Sequence, residues 1–431
     1  MAKNANNKVS IWQSLHNAWK VQDIRKKLIY TFLMLILFRL VGVIPAPGVD
    51  YVRVKSAISG SNLPLLDLVN MMTGSNFSNM TIMAMGITPY INSSIIMQLL
   101  TIAIPALERL SKSGPEGQKK IASITRYVTI VLAVIQAIGL VYSLGYIKSG
   151  WFNTVLVGVS MAAGTALAMW IGERITKNGL GNGVSLLIFA GIISNLFNGF
   201  TSLIANAFSA TSLTPWLTLL AVLLFALVMI VVVTFVDMGV RRIQVQYAKR
   251  VTGRKMYGGQ SSVLPLKVCS VGVMPLIFAY SFMAFPSTLI QLFGGSESGL
   301  GLWWSRYMNY YSPLYMIVTA LLIIAFTYFY TSISFQPDEM AKNIQQQGGV
   351  IPHVRPGKPT ADFLARTNNR LTLFAALFLA VLATLPNLFT VGLQTSVPFA
   401  ASSLLIAVSV VLETKRQLDD LLVSRNYDTL T

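Results

Sequence analysis

Long runs of apolar residues with few charges constrain this chain more than any other feature. A helix needs about 20 residues to cross a hydrocarbon layer roughly 30 Å thick. Ten segments approach or exceed this length, near 28–45, 80–104, 121–147, 152–172, 184–206, 216–237, 268–293, 313–335, 371–392 and 394–412. Only 11% of the residues are charged, against about 25% in soluble domains. The sequence predicts an all-α polytopic membrane protein with ten transmembrane helices.

The basic residues indicate how these spans are oriented, because Lys and Arg in short loops stay on the cytoplasmic side. With the N-terminus inside, 28 of the 33 Lys and Arg residues fall in inside segments and 4 in outside segments. The remaining one, Arg39, lies within the first span. We interpret it as snorkelling or as pairing with a neighbouring helix. The net charge of +18 therefore largely reflects orientation, with both termini cytoplasmic.

Several kinds of chemistry lack the residues that they require. Cys269 is the single cysteine, and the two histidines, His16 and His353, lie in polar segments far apart. Acidic residues are confined to loops and span ends, whereas ion-coupled transporters usually carry carboxylates inside the membrane. The sequence has no phosphate-binding loop of the Walker type. We expect no cofactor, no metal site and no enzymatic activity.

Two inside loops are longer than simple connections require. The loop 237–267 carries seven basic residues, and its alternating Val, Ile, Gln and Tyr residues predict a short β-ribbon. The loop 336–370 is predicted to begin as a helix and to contain a rigid Pro- and Gly-rich tip at 353–359. These loops are either solvated surfaces facing lipid headgroups or docking sites for a cytosolic partner.

A short apolar helix is predicted at 63–72, between the first two spans. It is too short to cross the membrane. Either it lies at the membrane surface, or it re-enters the bundle where protein or a water-filled cavity surrounds it. The residues alone leave both alternatives open.

Seven motifs occur in a specific order along the chain. They are IPAPG (44–48), GITPYINSSIIMQLL (86–100), GLGNGVS (179–185), RR (241–242), YAKR (247–250), LPLK (264–267) and RPG (355–357). Together they resemble the bacterial SecY family, the channel subunits of the Sec protein-conducting translocon, over nearly the whole chain.

The resemblance implies two pseudo-symmetric halves of five spans around a central pore. The halves are 28–206 and 207–412, preceded by a cytoplasmic amphipathic segment 1–27 and followed by a cytoplasmic tail 413–431. It also implies that the short apolar helix is a re-entrant plug that seals the resting channel. The implied plug residues are Leu63, Leu65, Leu66, Leu68, Val69, Met71 and Met72.

The resemblance further assigns side chains to a pore ring and to a lateral gate between spans two, three, seven and eight. The implied ring consists of Ile87, Ile91, Val184, Ile188, Ile277 and Ile406. Two pairs in this set are spaced i, i+4, so each pair lies on one helix face. The implied gate residues are Asn92, Gln98 and Asn182. Ordinary hydrogen bonding between helices remains an alternative for these three.

The partners implied are the SecE and SecG subunits, the SecA motor ATPase, the ribosome, polypeptides bearing signal sequences, and membrane lipids. SecA or the ribosome would dock on Arg241, Arg242, Lys249, Arg250, Arg254, Lys255 and Arg355. The expected function is passage of unfolded secretory polypeptides across the bacterial cytoplasmic membrane, and lateral release of membrane-protein segments. The alternative is a secondary transporter of small solutes, which would require a polar site at the midplane, where this chain has aliphatic residues.

Overall fold

A computed structural model describes residues 19–49, 76, 79–143, 151–209, 214–247, 250–252, 255–257, 261–270, 272, 274–293, 299–308, 312–393 and 401–428. Its helices are α1 (Gln22–Val41), α2 (Thr88–Ala103), α3 (Pro105–Lys112), α4 (Pro115–Ser143), α5 (Trp151–Asn178), α6 (Gly183–Ser209), α7 (Thr214–Asp237), α8 (Met274–Phe293), α9 (Gly299–Tyr307), α10 (Pro313–Ser334), α11 (Pro337–Gln346), α12 (Lys358–Leu393) and α13 (Ala401–Asp428). Its strands are β1 (Val240–Tyr247), β2 (Arg250–Thr252), β3 (Lys255–Tyr257), β4 (Ser261–Lys267) and β5 (Gly349–Val350). A helix overlaps each of the ten predicted apolar segments in this part of the chain.

Six of the described helices, α4, α5, α6, α7, α10 and α12, are long and apolar enough to cross a membrane by themselves. A seventh span results if α2 and α3 are counted together, although they meet at a bend of 102°. The bend falls at Ile104, which has extended backbone angles. Pro105 follows it, and a residue before proline is disfavoured in helical conformation. The chain is thus a mostly helical membrane protein whose second predicted span ends at a sharp bend into a short helix.

Aromatic side chains cluster at the helix ends remote from the strands. Trp151 begins α5 and is 80% exposed. Phe208 and Trp216, at the facing ends of α6 and α7, pack edge to face with their ring centroids 5.1 Å apart. Trp303 and Tyr307 of α9 pack together at 5.7 Å. Such aromatic residues favour the membrane–water boundary, which fits the predicted outer surface.

The largest hydrophobic cluster lies where helices from the first and second parts of the chain meet. It includes buried residues of α1, α2, α5, α6, α7, α8, α10, α12 and α13. At its edge, Arg39 Nη2 donates a hydrogen bond to the hydroxyl of Ser194 on α6. The prediction that Arg39 pairs with a neighbouring helix is therefore confirmed.

The GLGNG motif forms a tightly packed turn from α5 to α6. Gly181 has a φ of +84°, a conformation that favours glycine. A Cβ on Gly183 would lie 1.9 Å from the carbonyl oxygen of Gly172. Hydroxyl groups close the turn, since Thr31 accepts from the Leu180 amide and Thr176 accepts from the Gly183 amide, both at 2.9 Å. The motif thereby fixes where α6 begins.

Gly164 on α5 gives a test of helix packing. A Cβ there would lie 2.1 Å from the backbone carbonyl oxygen of Ile82, which cannot rotate away. We expect Gly164→Ala to reduce stability by about 1–3 kcal/mol, the typical cost of overpacking. A lower thermal unfolding midpoint in detergent would show this. Gly172→Ala on the same helix is the matched control, because its Cβ would meet no atom closer than 3.5 Å, which is an ordinary van der Waals contact. An equal loss in both variants would contradict the argument.

The predicted β-ribbon is confirmed and belongs to a larger sheet. β1 pairs antiparallel with β4, with Val240 opposite Lys267 and Gln246 opposite Ser261. β5, from the second long loop, pairs with the other edge of β1, giving the order β4-β1-β5. The second loop also begins with a helix, α11, as predicted. The sequence did not predict that the two loops join into one sheet.

The sheet has its own small core. Ile243 and Val245 of β1 are buried, while the intervening Gln244 is exposed. They pack with Ile344 of α11 and Leu364 of α12. Burial of these apolar side chains holds the sheet against α11 and the first part of α12.

Candidate pore, gate and docking surface

The structure brings the six predicted ring residues into one hydrophobic cluster, although they come from four separate regions of the sequence. Ile87 directly precedes α2, and the others lie on α2, α6, α8 and α13. Five are at most 7% exposed, and Val184 is partly buried against them. The residues thus share an aliphatic surface from which water is excluded.

A cavity of about 440 Å³ lies above this surface, between α2, α4, α5, α6 and α8. Its lining includes four of the ring residues: Ile91, Val184, Ile188 and Ile277. A void of about 10 Å³ adjoins it and is bordered by Ile87, Ile91, Ile188 and Phe38. That void is about large enough for one water molecule. The cavity is therefore adjoined by a much smaller void that is lined mainly by apolar side chains.

Charged and polar side chains line the cavity above the aliphatic residues. Arg126 of α4 and Glu173 of α5 form an ion pair, with 2.7 Å between Nε and Oε1. Lys177, one turn beyond Glu173, also borders the cavity. These residues lie near the cytoplasmic ends of their helices in the predicted topology. The cavity is thus lined by charged side chains as well as by aliphatic ones.

Gln98 joins two helices that lie far apart in sequence. Its side-chain Nε2 on α2 donates to the Tyr330 hydroxyl on α10 at 3.3 Å. The Tyr330 ring packs against Phe278 of α8, with centroids 5.2 Å apart. Phe278 in turn packs against Phe326 of α10 at 6.2 Å and borders the cavity. These contacts form a side-chain seam between α2, α8 and α10, next to the ring residue Ile277.

The other two predicted gate residues occupy different surroundings. Asn92 is buried on α2, at 7% exposed. Asn182 precedes α6, where its Oδ1 accepts hydrogen bonds from the amides of Val184 at 3.1 Å and Ser185 at 3.4 Å. It therefore caps α6 and borders the cavity. A gate role for either residue stays a prediction.

The predicted docking residues fall on or beside the cytoplasmic sheet. Arg241 and Arg242 are exposed on β1, and Arg355 is exposed in the tip between β5 and α12. The tip has a defined backbone, since Gly357 has a φ of +97° and the Thr360 hydroxyl donates to the Arg355 carbonyl at 2.8 Å. The β2–β3 hairpin includes the backbones of Arg250 and Lys255.

Several predicted residues lie outside the described part of the chain. These are the plug residues Leu63, Leu65, Leu66, Leu68, Val69, Met71 and Met72, and the docking residues Lys249 and Arg254.

Sequence reasoning missed Phe38, Arg126, Phe278 and Tyr330 as members of the site. Tyr330 carried a weak signal, because a tyrosine inside an apolar span usually finds a hydrogen-bond partner when buried. Phe38 and Phe278 carried none, since nothing distinguishes them locally from other apolar residues in their spans.

Known proteins are similar to this chain in sequence and in fold. The SecY family profile matches residues 81–415. A protein translocase subunit SecY from Streptomyces scabiei is 41% identical over 433 residues, covering 95% of this chain and 98% of that protein. The protein of the same name from Halalkalibacterium halodurans is 40% identical over 429 residues, covering 97% and 99%.

Solved structures share the fold at lower identity. A structure described as that of a protein conducting channel matches with a TM-score of 0.68 and 20% identity, covering 91% of each chain. Sec61 in the canine ribosome–channel complex from the endoplasmic reticulum matches with a TM-score of 0.65 and 19% identity, again over 91% of each chain.

Proposed function

The chain belongs to the SecY family of protein-conducting channels, and we propose that its substrates pass through the ring at the floor of the 440 Å³ cavity. The family acts as a non-enzymatic channel subunit. The substrates would be unfolded secretory polypeptides that bear signal sequences. One observation carries the assignment of the path: four ring residues from three helices line a single cavity together with charged side chains.

The chemistry of the ring suits a passage that must seal around any sequence. Aliphatic side chains give an ion no ligands to replace its hydration shell, so a narrow apolar ring keeps ions out. They also pack against any passing side chain without requiring a particular hydrogen bond. A small-solute transporter would instead need polar groups that fix one substrate at the midplane. The aliphatic floor of this cavity does not favour that alternative.

We propose that α2 separates from α8 and α10 to release apolar segments into lipid, with Asn92, Gln98 and Asn182 serving this gate. The seam through Gln98, Tyr330 and Phe278 supports the proposal, because the contacts joining these helices are side-chain contacts. Such contacts break without loss of any backbone hydrogen bond. Segments 28–206 and 207–412 would then be the two halves that move apart, with 63–72 as the plug.

Tyr330→Phe tests the seam by removing one hydroxyl and keeping the ring contacts. Interhelical hydrogen bonds in membranes contribute about 0.6 kcal/mol on average. We therefore expect gate opening to become roughly threefold easier, measured as crosslinking of a signal peptide to α2 in proteoliposomes. Tyr328→Phe is the matched control, on an exposed position of the same helix. Equal crosslinking in all three proteins would contradict a role for the hydroxyl.

The charged cytoplasmic surface supports docking of a partner that supplies the energy. Arg241, Arg242 and Arg355 are exposed, and their guanidinium groups suit carboxylates and RNA phosphates equally. We therefore propose SecA or the ribosome as the docked partner, together with Lys249, Arg250, Arg254 and Lys255 of the first loop. SecE and SecG are the proposed companion subunits. The chain would reside in the bacterial cytoplasmic membrane with both termini, 1–27 and 413–431, in the cytoplasm.

Reconstitution tests the proposed function directly. Proteoliposomes containing this chain, SecE and SecA should protect a signal-bearing precursor from external protease when ATP is added. A precursor without its signal sequence serves as the control and should remain digestible. Failure of protection with SecA, followed by failure of ribosome-driven insertion, would contradict the proposed function.

A further inference from the structure

A buried ion pair fixes the base of the basic arm, which we define as residues 240–267. Arg416 Nη2 on α13 donates to both Oδ2 and the backbone carbonyl oxygen of Asp237, the last residue of α7. The Nη2–Oδ2 distance is 2.9 Å, and the Asp237 side chain is only 10% exposed. The pair is partly buried: Arg416 is 30% exposed, whereas little water reaches the Asp237 carboxylate, so Arg416 is its main partner among the described residues.

The pair lies where both ends of the arm leave the helical bundle. β1 starts three residues after Asp237, and the Val268 amide, just after β4, donates to the Gly239 carbonyl at 3.0 Å. Lys267, at the end of β4, also interacts electrostatically with Asp237. Arg416 is therefore joined to the hinge from which both ends of the arm leave the helical bundle, while the middle of β1 packs against α11 and α12.

The helix that carries Arg416 also carries a residue of the proposed ring. Ile406 lies ten residues earlier on α13, about 15 Å along a helix. Val410, between them, is 2% exposed, so this stretch of α13 is packed into the core. α13 also approaches the turn before α6, since a Cβ on Gly181 would lie 3.3 Å from Thr414 Oγ1. A displacement of the arm base thus has a rigid path to both Ile406 and the start of α6.

We propose that Arg416 is a positioning residue that transmits movement of the basic arm through α13 to the pore ring. This inference rests on the proposed docking function of the arm. A partner that pulls on the arm would shift Asp237, and the two hydrogen bonds would carry that shift to α13. Without them the arm would still bind its partner but would transmit the force poorly.

The first measurement tests the anchor without requiring transport. Spin labels on Gln244→Cys of β1 and Asp420→Cys of α13 occupy exposed positions, while the native Cys269 is buried. In membranes we expect one narrow distance distribution for the otherwise unchanged chain and a clearly broader one for Arg416→Gln. Lys112→Gln is the matched control, because it removes an exposed ion pair with Glu108 that does not contact the arm.

The second measurement separates transmission from docking. We expect Arg416→Gln to lower precursor turnover per folded channel at least fivefold at saturating partner, the lower end of typical coupling between sites. Its affinity for the partner should stay within about twofold, because the arm's basic surface is unchanged. Arg242→Glu should have the opposite effect. Its affinity for the partner should fall, and its turnover should recover when the partner is saturating. Arg416→Lys keeps the charge but loses the planar, forked geometry of the guanidinium group. Its turnover per folded channel should therefore lie between those of Arg416→Gln and wild type.

A purely structural role for Arg416 predicts fewer folded channels with normal turnover per channel. That result, or an unchanged distance distribution in Arg416→Gln, would overturn the inference. If Arg416→Gln does not fold, the distance distribution and the turnover per folded channel are measured in Arg416→Lys instead, and they decide in the same way. If neither SecA nor ribosomes drive transport through the wild-type chain, the docking proposal fails. The role of Arg416 as an anchor is then judged by the distance distribution alone, and an unchanged distribution in Arg416→Gln would overturn it.

Discussion

Replacing Ile188 with asparagine is expected to raise the ion flux through the channel about tenfold. This corresponds to a free-energy barrier that is lower by about 1.4 kcal/mol. Ile188 is 3% exposed and borders both the cavity and the void of about 10 Å³ beneath it. An amide at this point gives a passing ion a ligand where the wild-type ring gives none. Efflux of an ion-sensitive dye from proteoliposomes measures the change.

Ile192 provides the matched control for this experiment, one turn further along α6. It is 2% exposed and belongs to the same hydrophobic cluster, but it does not border either cavity. Ile192→Asn should therefore reduce thermal stability, by about 2 kcal/mol or more for an unpaired buried amide, without raising ion flux per folded channel. Equal leaks in both variants would mean that Ile188 acts through packing, and the ring assignment would fail.

Reversing the charge of Arg355 is expected to abolish most partner-driven translocation. Arg355 is exposed on a tip whose backbone is fixed by Gly357 and Thr360, so its side chain can reach a docked partner without ordering a loop. Disrupting a charge pair at an interface costs about 2–5 kcal/mol, which corresponds to at least a roughly 30-fold weaker interaction. Protease protection of a precursor, with SecA and ATP, measures the loss in Arg355→Glu.

Lys342→Glu makes the same charge change on the exposed surface of α11, outside the proposed docking set. If docking at Arg355 is specific, this variant should retain most of the wild-type rate. Equal inhibition by both substitutions would indicate that general surface charge, rather than Arg355, governs partner binding. Raising the salt concentration would then reduce the wild-type rate to a similar extent, because salt screens exposed charges.

Much of the fold was predictable because hydropathy acts locally. Each apolar segment had to become a helix, since lipid offers no hydrogen-bond partners to an open backbone. The alternation of Ile243, Gln244 and Val245 predicted a strand with one buried face. The pairing of β1 with β5 was not predictable in this way, because it joins residues about a hundred positions apart through backbone groups that every sequence has.

Among the site residues too, features set by local sequence were predictable and contacts between distant helices were not. The i, i+4 spacing of Ile87 and Ile91 was visible in the sequence, but their place in the ring came from the resemblance to SecY. The contact of Gln98 with Tyr330 and that of Arg416 with Asp237 had no local signal. Each joins two helices whose rotation and tilt are set by packing against several neighbours at once.

The sequence by itself determined the apolar helices and the family, and it predicted their orientation, because span length, apolar content and loop charge are properties of single segments. Only the tertiary structure decided which side chains meet: the four ring residues that share one cavity, the seam between α2, α8 and α10, and the ion pair that fixes the arm. The physical reason is that helix rotation is chosen by the combined packing of all neighbouring helices, so no single span encodes its own partners.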